Sequence, residues 1–360
     1  MSLAAGSVEA LQDVVRQGPR VLPHGAGTKP ALCTPPDDAV ALDVSGLSGI
    51  LEYDPAELTF TALAGTPVAE VSAALAEHGQ YLPFDPPLSE AGATLGGVVA
   101  AGASGPNAFR HGGVRDFIIG VRFIDGTGRL VSGGGKVVKN AAGFDLAKLM
   151  IGSLGRLGVL VQLSFKVFPR PEATTTLRVD LGSTEAALET MAALGLGPID
   201  LDALDFEPPG RLLLRLGGAK ETLTARADRL GSLIGAPAER LDDEADVQEW
   251  RQAAELSWAS TGGTLVKVGL TARRIPGLES ALAQSGARTR YSLGGNLGWL
   301  AWPGDRDIAE LDGALRSLEL AGVALTGSPG RVLLGRIGGG AFATRVRAAL
   351  DPHARFLESD

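Results

Sequence analysis

The sequence predicts an α+β protein in which two domains of different character follow one another. The chain has 360 residues, a length typical of two domains. Short apolar runs alternate with glycine-rich stretches in the first half, whereas residues 174–327 repeat the order strand, helix, strand, strand, helix. We therefore predict a first domain over 1–171, a second over 172–335, and a last segment, 336–360, whose helix has no place in the second domain and is expected to return to the first.

The first domain is expected to consist of short strands joined by hairpins and short helices. The apolar pattern predicts a helix over residues 8–16, and residues 40–44 are typical of a strand. The turn Asp54-Pro55 between two apolar runs predicts a hairpin, and a second hairpin is indicated around residues 125–128. Thr66-Pro67 is typical of a helix start, with Thr66 as the N-cap and proline at the first helical position.

The second domain is expected to contain two tandem α/β sandwiches that share one antiparallel sheet. Apolar periodicity indicates helices at 184–194, 220–234, 277–285 and 306–319, with strand-like runs between them. This order predicts that helices cover one face of the sheet. The acidic run at 242–249 is interpreted as a solvated loop that begins a helix.

Seven of the 23 residues from Ala91 to Gly113 are glycines. Glycine at this density marks backbone that passes close to something or adopts a positive φ. Consecutive free N–H groups at such a place bind anions, so one interpretation is a loop that holds the pyrophosphate of a dinucleotide. The alternative is a turn that only lets two elements pack closely.

A second glycine loop upstream favours the phosphate interpretation. Residues 24–29 read His-Gly-Ala-Gly-Thr-Lys and follow a short apolar run. No helix pattern follows these glycines, which excludes the dinucleotide turn of a Rossmann unit. The Gly-Lys-Ser/Thr signature of a P-loop is also missing.

Composition excludes several classes of function. A formal net charge of −8 argues against a nucleic-acid-binding surface. Cys33 is the one cysteine, so neither a disulfide nor an iron–sulfur cluster can be built within this chain, and the four scattered histidines predict no metal site. No apolar run has membrane-spanning length, and the first residues lack the features of a secretion signal. We expect a cytoplasmic protein that associates with a membrane only through partners.

Several motifs in a fixed order resemble the FAD-binding domain of the vanillyl-alcohol oxidase and p-cresol methylhydroxylase (PCMH) family. The matching segments are PHGAGTK at 23–29, DPAELTFTALAGTPVAEV at 54–71, LPFDPP at 82–87, ATLGGVVAAGASGP at 93–106, RHGGVRDFIIGVRFIDGTG at 110–128 and KNAAGFDLAKLMIGSLGRLGVL at 139–160. The resemblance implies a PCMH-type FAD-binding domain of two subdomains, followed by a cap domain. Chain length and the KNAAGFDLAKL segment most resemble the FAD-binding subunits of glycolate oxidases.

The resemblance also implies FAD that is bound without a covalent link. Family members with covalent flavin attach it through a histidine after the glycines of the first loop, whereas His24 precedes Gly25. The residues expected to bind FAD are His24, Gly25, Ala26, Gly27, Thr28, Lys29, Asp85, Pro86, Thr94, Gly96, Gly97, Gly102, Ala103, Ser104, Gly105, Arg110, Arg115, Gly158 and Val159.

These residues are expected to play different parts. Backbone N–H groups of residues 25–28 and 96–105 are expected to hold the two phosphates, because anion binding there needs no charged side chain. Thr94 and Ser104 add hydroxyl groups, Asp85-Pro86 is expected to line the adenosine-ribose channel, and Gly158 and Val159 are expected to meet the adenine.

The catalytic residues stay unassigned, with three basic side chains as weak candidates. Arg110 and Arg115 are suited to bidentate contact with pyrophosphate or a substrate carboxylate, and the alternative for each is a surface ion pair. Lys139, next to Asn140, either faces the flavin edge or is an ordinary surface charge. His111 either approaches the flavin ring or has a structural or ribose-side role.

The sequence departs from the catalytic hydroxy-acid dehydrogenases of this family in the cap. Those enzymes carry histidines in a glycine motif there, whereas the nearest stretch, Leu293 to Trp299, has none. The leading hypothesis is therefore a glycolate oxidase subunit that acts with a second flavoprotein subunit and an iron–sulfur subunit. The alternatives are a free-standing FAD oxidoreductase for a small 2-hydroxy acid and a scaffold subunit without flavin.

Overall fold

The computed structural model describes residues 2–4, 6–135, 144–195, 197–259 and 262–358, which divide into two compact units. The first unit comprises residues 1–104, 113–169 and 338–360. The second comprises residues 105–112 and 170–337. The division after Pro169 lies close to the predicted boundary. No local pattern indicates that residues 105–112, in the central glycine stretch, belong to the second unit.

The first unit contains two main sheets, a short strand pair and short helices. A parallel sheet has the strand order β1-β3-β2, and a five-stranded antiparallel sheet has the order β4-β5-β9-β7-β8. Strands β6 and β10 pair separately. The elements are β1 Ser2–Ala4, α1 Val8–Gln17, β2 Arg20–His24, β3 Ala39–Asp43, β4 Ile50–Asp54, β5 Thr59–Leu63, α2 Val68–Ala76, β6 Gln80–Tyr81, α3 Leu95–Ala101, α5 Val114–Phe117, β7 Ile118–Ile124, β8 Leu130–Gly134, α6 Leu146–Leu149, β9 Val159–Lys166, β10 Phe168–Pro169 and α12 Gly340–Leu350; the remaining helix, α4 Ala108–His111, belongs to the second unit.

The turns of the first unit form mostly as predicted, and one helix cap differs. Both hairpins are confirmed, since β4 pairs with β5 and β7 pairs with β8. The prediction that Thr66 caps α2 is wrong, because Pro67 occupies the N-cap position. The Thr66 hydroxyl instead donates to the Leu63 carbonyl at 2.7 Å and accepts from the Gly49 amide at 2.9 Å, which ties β5 to the preceding loop.

The second unit is built around a nine-stranded antiparallel sheet. Its strand order is β14-β11-β13-β12-β16-β17-β15-β18-β19. Each half follows the order strand, helix, strand, strand, helix, strand, so the predicted repeat of elements is confirmed. The elements are β11 Ala173–Asp180, α7 Thr184–Gly195, β12 Ala203–Glu207, β13 Arg211–Gly218, α8 Lys220–Ile234, β14 Ala238–Asp242, α9 Asp243–Ala254, β15 Thr264–Gly269, α10 Ile275–Leu282, β16 Arg288–Ser292, β17 Leu297–Trp302, α11 Ile308–Ser317, β18 Ala321–Ala324 and β19 Leu333–Gly335.

The prediction that helices cover one face of this sheet is wrong. Neighbouring side chains of a strand point to opposite faces. Leu177 of β11 lies against Gly231 of α8, whereas the adjacent Thr176 accepts a hydrogen bond from Trp250 of α9 at 2.6 Å. The helices α8 and α9 therefore pack on opposite faces of β11.

The acidic run at 242–249 is only partly the solvated segment that was expected. It begins α9, but Asp246 is fully buried. Its carboxylate accepts hydrogen bonds from Thr174 and Thr176 at 2.6 Å and from Arg215 at 2.7 Å. A buried carboxylate with three donors holds α9 to the sheet, because leaving it unpaired would cost several kcal/mol.

We predict that Gly65→Ala destabilises the protein by about 3 kcal/mol, because the new methyl group meets backbone that cannot give way. A Cβ there would lie 2.3, 2.7 and 2.8 Å from the carbonyl oxygens of Val44, Ser45 and Leu47. Urea denaturation measures the loss. Gly46→Ala is the matched control, since nothing lies within 4 Å of its Cβ position. An equal midpoint for both variants would contradict the prediction.

Candidate functional site

The upstream glycine loop and the start of the central glycine stretch meet at one cleft in the first unit. A Cβ on Gly25 would lie 2.2 Å from the Thr94 hydroxyl oxygen, so the backbone of residue 25 packs directly against the Thr94 side chain. The cleft has two adjoining lobes of about 430 and 350 Å³, counted with the open space at the mouth. Its lining comes from residues 23–29, Thr94 and α3, and residues 153–158.

Strand β2 delivers the first loop to the cleft. The strand pairs in parallel with β3 as far as His24, and the chain then leaves the sheet. Within the described part of the chain, the amides of residues 25–28 donate no hydrogen bond to the protein. Four backbone donors at the wall of a cleft form the kind of concave site that binds an anion.

The glycines of α3 contribute in a different way from the one expected. The Gly96 amide donates to the Ala64 carbonyl at 2.7 Å, and the Gly97 amide donates to the Thr94 hydroxyl at 3.2 Å. These donors are already used within the protein. Gly96 and Gly97 therefore shape the cleft through their missing side chains, and residues 25–28 provide the open amides.

The later residues of the central stretch are structural. Gly102 ends α3 with a φ of 55°, and its amide donates to Val99. Ala103 is fully buried, and the Ser104 hydroxyl accepts from the Val114 amide at 3.0 Å. These predicted phosphate contacts are therefore engaged in ending the helix and fixing the next turn, and they do not line the two lobes.

A third glycine stretch supplies cleft residues that the sequence analysis left unassigned. Ser153, Leu154, Gly155 and Gly158 line the lobes, although only Gly158 was predicted. Ser153 is 8% exposed, and its hydroxyl has no hydrogen-bond partner in the described chain. A buried hydroxyl without a partner at a cavity wall indicates a ligand that supplies one. The signal in the sequence was the repeated glycine of residues 152–158.

The electrostatics of the cleft favour an anion. Lys29 lines the cleft with 4% exposure, and its ammonium group donates to the Thr28 hydroxyl at 3.4 Å. Burial raises the pKa of the neighbouring Cys33 thiol against the opposing effect of Lys29, so this thiol adds no negative charge. A buried cation beside four open amides complements a phosphate group.

His24 lies at the mouth of the same loop and holds it in place. Its ring nitrogen Nδ1 is 2.7 Å from the Gly25 carbonyl oxygen, a geometry that makes Nδ1 the donor. On the partner strand, burial opposes ionisation of Asp43, but hydrogen bonds from Ser45 and the proximity of His24 hold the pKa of that carboxyl below its usual value. His24 is therefore the last residue of β2 and holds the loop that follows it.

Arg110 is not placed as an anion contact of the cleft. Together with Gly105 it belongs to the second unit, where its guanidinium forms an ion pair with the buried Asp202. The adjacent His111 is half-buried, and burial together with the Arg110 charge lowers its pKa against the effect of Asp202. The ion-pair alternative for Arg110 is the one that the structure shows.

The remaining candidates lie away from the two lobes or outside the described residues. Arg115 is an exposed residue of α5. Burial opposes ionisation of the nearby Asp145, but hydrogen bonds and charge from Lys148, and the charge of Arg115, hold the pKa of that carboxyl below its usual value. Asp85 and Pro86 do not line the lobes, and Val159 is a buried strand residue of β9 that pairs with Ile124. Lys139 and Asn140 fall in the segment 136–143, which lies outside the described residues.

The cleft fits a nucleotide with a pyrophosphate group. Glycines contribute to both lobes of the cleft, and an added Cβ on Gly158 would lie 2.7 Å from the ring of Phe123. Open amides at 25–28, the buried ammonium of Lys29 and the unpartnered hydroxyl of Ser153 supply the polar contacts. The described residues contain no group of three or more His, Cys, Asp or Glu side chains that could hold a metal ion.

Comparisons with known proteins agree with this assignment. Residues 3–134 match the family model described as FAD binding domain, which confirms the expectation of an FAD cofactor. The chain is 41% identical over 231 residues to the glycolate oxidase subunit GlcE of Escherichia coli (strain K12), covering 64% of this chain and 63% of that protein. It is 31% identical over 191 residues to the glycolate oxidase subunit GlcD of Bacillus subtilis (strain 168), covering 51% of this chain and 40% of that protein.

A third relative and two solved structures extend the comparison. The chain is 30% identical over 206 residues to a D-2-hydroxyglutarate dehydrogenase of Xanthomonas citri pv. viticola, covering 56% of this chain and 43% of that protein. The matched regions thus span 40 to 63% of the length of these relatives. Two structures of alkyldihydroxyacetonephosphate synthase share the fold, with TM-scores of 0.72 and 0.71 at 14% identity, over 98% of this chain and 76% of each of those chains.

We predict that Gly25→Ala weakens FAD binding by about tenfold or more, because its Cβ and the Thr94 side chain cannot occupy the same space. Titration of the apoprotein with FAD, followed by flavin fluorescence, measures the affinity. The double variant Gly25→Ala/Thr94→Ala lacks the colliding atoms of Thr94. We therefore expect Gly25→Ala to reduce FAD affinity less in the Thr94→Ala background than in the wild type. Simple additivity of the two single losses would contradict the steric cause.

We also predict that Ser153→Ala lowers FAD affinity by about fivefold, the value of one hydrogen bond, and leaves the thermal stability of the apoprotein unchanged. Ser164→Ala is the matched control. Ser164 is also 8% exposed, but its hydroxyl lies 2.8 Å from that of Thr61. The control should lose stability and keep its FAD affinity. The reverse pattern would remove Ser153 from the cofactor site.

Proposed function

We propose that this chain, in which residues 3–134 match the FAD binding domain family model, is the FAD-binding subunit of a glycolate oxidase. Together with partner subunits it would oxidise glycolate, a small 2-hydroxy acid, to glyoxylate. The observation that carries the proposal is the cleft in which open amides, a buried lysine and glycine-rich walls converge. The 41% identity to a glycolate oxidase subunit supports the choice of reaction.

In this proposal the protein binds and orients the cofactor without a covalent link. When bound, FAD supplies the two-electron oxidation of the substrate. The amides of residues 25–28 and the ammonium of Lys29 bind the phosphates, and the Ser153 hydroxyl provides a further hydrogen bond. The Nδ1 contact between His24 and the Gly25 carbonyl keeps the first loop in the shape that exposes these amides.

The composition of the chain supports a role within a complex. No histidine occurs between His111 and His353, so the cap domain lacks the imidazole ligands of the self-sufficient dehydrogenases that it resembles. Its single cysteine also rules out an iron–sulfur cluster within this sequence. A second flavoprotein subunit and an iron–sulfur subunit would supply these groups.

The proposed location is cytoplasmic, with attachment to a membrane through those partners. None of the described helices combines the length and the apolar character that a membrane span requires.

A second candidate function is a free-standing FAD oxidoreductase acting on a small 2-hydroxy acid. It is favoured by the 30% identity to a D-2-hydroxyglutarate dehydrogenase. In this case an arginine would bind the substrate carboxylate in place of a metal. Arg115 is the better placed of the two sequence candidates, because it is exposed whereas Arg110 is paired with Asp202.

The proposal is tested by purifying the chain alone and by purifying it after co-expression with the second flavoprotein subunit and the iron–sulfur subunit. We expect a yellow protein with a flavin spectrum that glycolate does not bleach under anaerobic conditions when the chain is alone. We expect glycolate to bleach the flavin when two further subunits copurify. A colourless protein that does not take up FAD would contradict the proposal and leave the scaffold alternative. Bleaching of the isolated chain by glycolate or D-lactate would favour the free-standing enzyme.

A further inference from the structure

The segment Asp351–Glu358, named here the clamp segment, runs beside the strand that leads into the FAD cleft. The Val21 amide of β2 donates to the Arg355 carbonyl at 2.8 Å, and Val21 and Phe356 form a parallel bridge. Phe356 is fully buried in a cluster that includes Leu11 and Leu42. The clamp segment thus continues the small parallel sheet on the open side of β2.

The same segment contacts the third glycine stretch. Arg156 is 8% exposed, and its guanidinium donates to the Glu358 carbonyl. Arg156 stands between Gly155 and Gly158, which line the cleft. A Cβ on Gly155 would lie 3.1 Å from the carbonyl oxygen of Pro23, so these two parts of the cleft wall are themselves in contact. The clamp segment therefore contacts both the strand β2 and the third glycine stretch.

The clamp segment is held in its own shape independently of the cleft. The buried Asp351 carboxylate accepts from the Arg355 amide at 2.7 Å and the Phe356 amide at 2.9 Å. The Gly126 amide donates to the Leu350 carbonyl at 2.8 Å, and a Cβ on Gly126 would lie 2.1 Å from Asp351. These contacts fix the segment to the β7–β8 turn, so it can act as a support.

We propose that the clamp segment is a positioning element for FAD, an inference that rests on the FAD-binding role proposed above. The loop at 25–28 has glycines and no internal amide bonds, so its open shape is costly in entropy unless its ends are fixed. Phe356 pairs with β2, the strand that precedes this loop. Glu358 accepts a hydrogen bond from Arg156 and so holds the third glycine stretch. A site whose walls are set before binding loses less free energy in ordering them, and it binds more tightly.

The test compares Phe356→Ala with Leu11→Ala. Both residues are fully buried and belong to the same cluster. They differ in their backbone contacts, because Phe356 pairs with β2 whereas Leu11 lies in the helix α1. FAD affinity is measured by fluorescence titration of each apoprotein, and thermal stability is measured by differential scanning calorimetry. Hydrogen exchange of the apoprotein is followed in residues 20–24 and 153–158.

We expect both variants to lose stability and only Phe356→Ala to lose FAD affinity, by about tenfold. Exchange in residues 20–24 and 153–158 should quicken in Phe356→Ala more than in Leu11→Ala. Equal loss of FAD affinity in the two variants, or exchange that does not distinguish them, would overturn the proposal. If Phe356→Ala does not fold, Phe356→Leu takes its place with a loss of about threefold, since a smaller cavity is left.

The exchange measurement needs no cofactor. Wild-type apoprotein that failed to bind FAD would refute the proposed function. In that case, the exchange result alone would still decide whether the clamp segment positions the cleft walls.

Discussion

The cleft depends on the close approach of the Gly25 backbone to the Thr94 side chain. The Thr94 hydroxyl caps α3 by accepting from Gly97, and the same oxygen occupies the space where any side chain on residue 25 would lie. The loop after β2 passes close to the helix cap, and its amides at 25–28 face a shared cavity, where none of the described residues accepts a hydrogen bond from them. The fold of the first unit serves this approach: β2 and β3 bring the loop, and β5 and α2 bring the helix.

A comparable constraint organises the second unit. The two halves of its sheet meet where β12 joins β16, and this ladder has a single paired position, Phe206 with Tyr291. Their rings stack at 5.7 Å on one face. On the other face Arg290 forms ion pairs with Asp205 at 2.8 Å and Glu207 at 2.7 Å. Burial raises the pKa of Asp205, and the charge of Arg290 opposes this effect. The ion pair between Arg290 and Asp205 thus joins the two halves of the sheet where the ladder between β12 and β16 is short.

The first glycine loop, which lines the cleft, can be recognised in the sequence because its signals are local. Glycines of the first loop stand consecutively in the chain, and their chemistry is that of the backbone, which needs no distant partner to be recognised. The same reasoning misjudged α3. Whether the amides of Gly96 and Gly97 are open depends on Ala64 and the Thr94 side chain, and the contact with Ala64 comes from packing α3 against the end of β5.

The sequence by itself determined the α+β class, the hairpins, the repeated order of elements in the second unit and the two glycine stretches that line the cleft. Turn residues and apolar periodicity act over a few positions, so these features are determined by residues that are close together in the sequence. Tertiary structure decided that Arg110 pairs with Asp202, that Asp246 is buried beneath α9, that Ser153 lines the cleft, and that Phe356 supports β2. Each of these depends on which distant segment lies opposite, because burial and hydrogen bonding are set by spatial neighbours that no local pattern specifies.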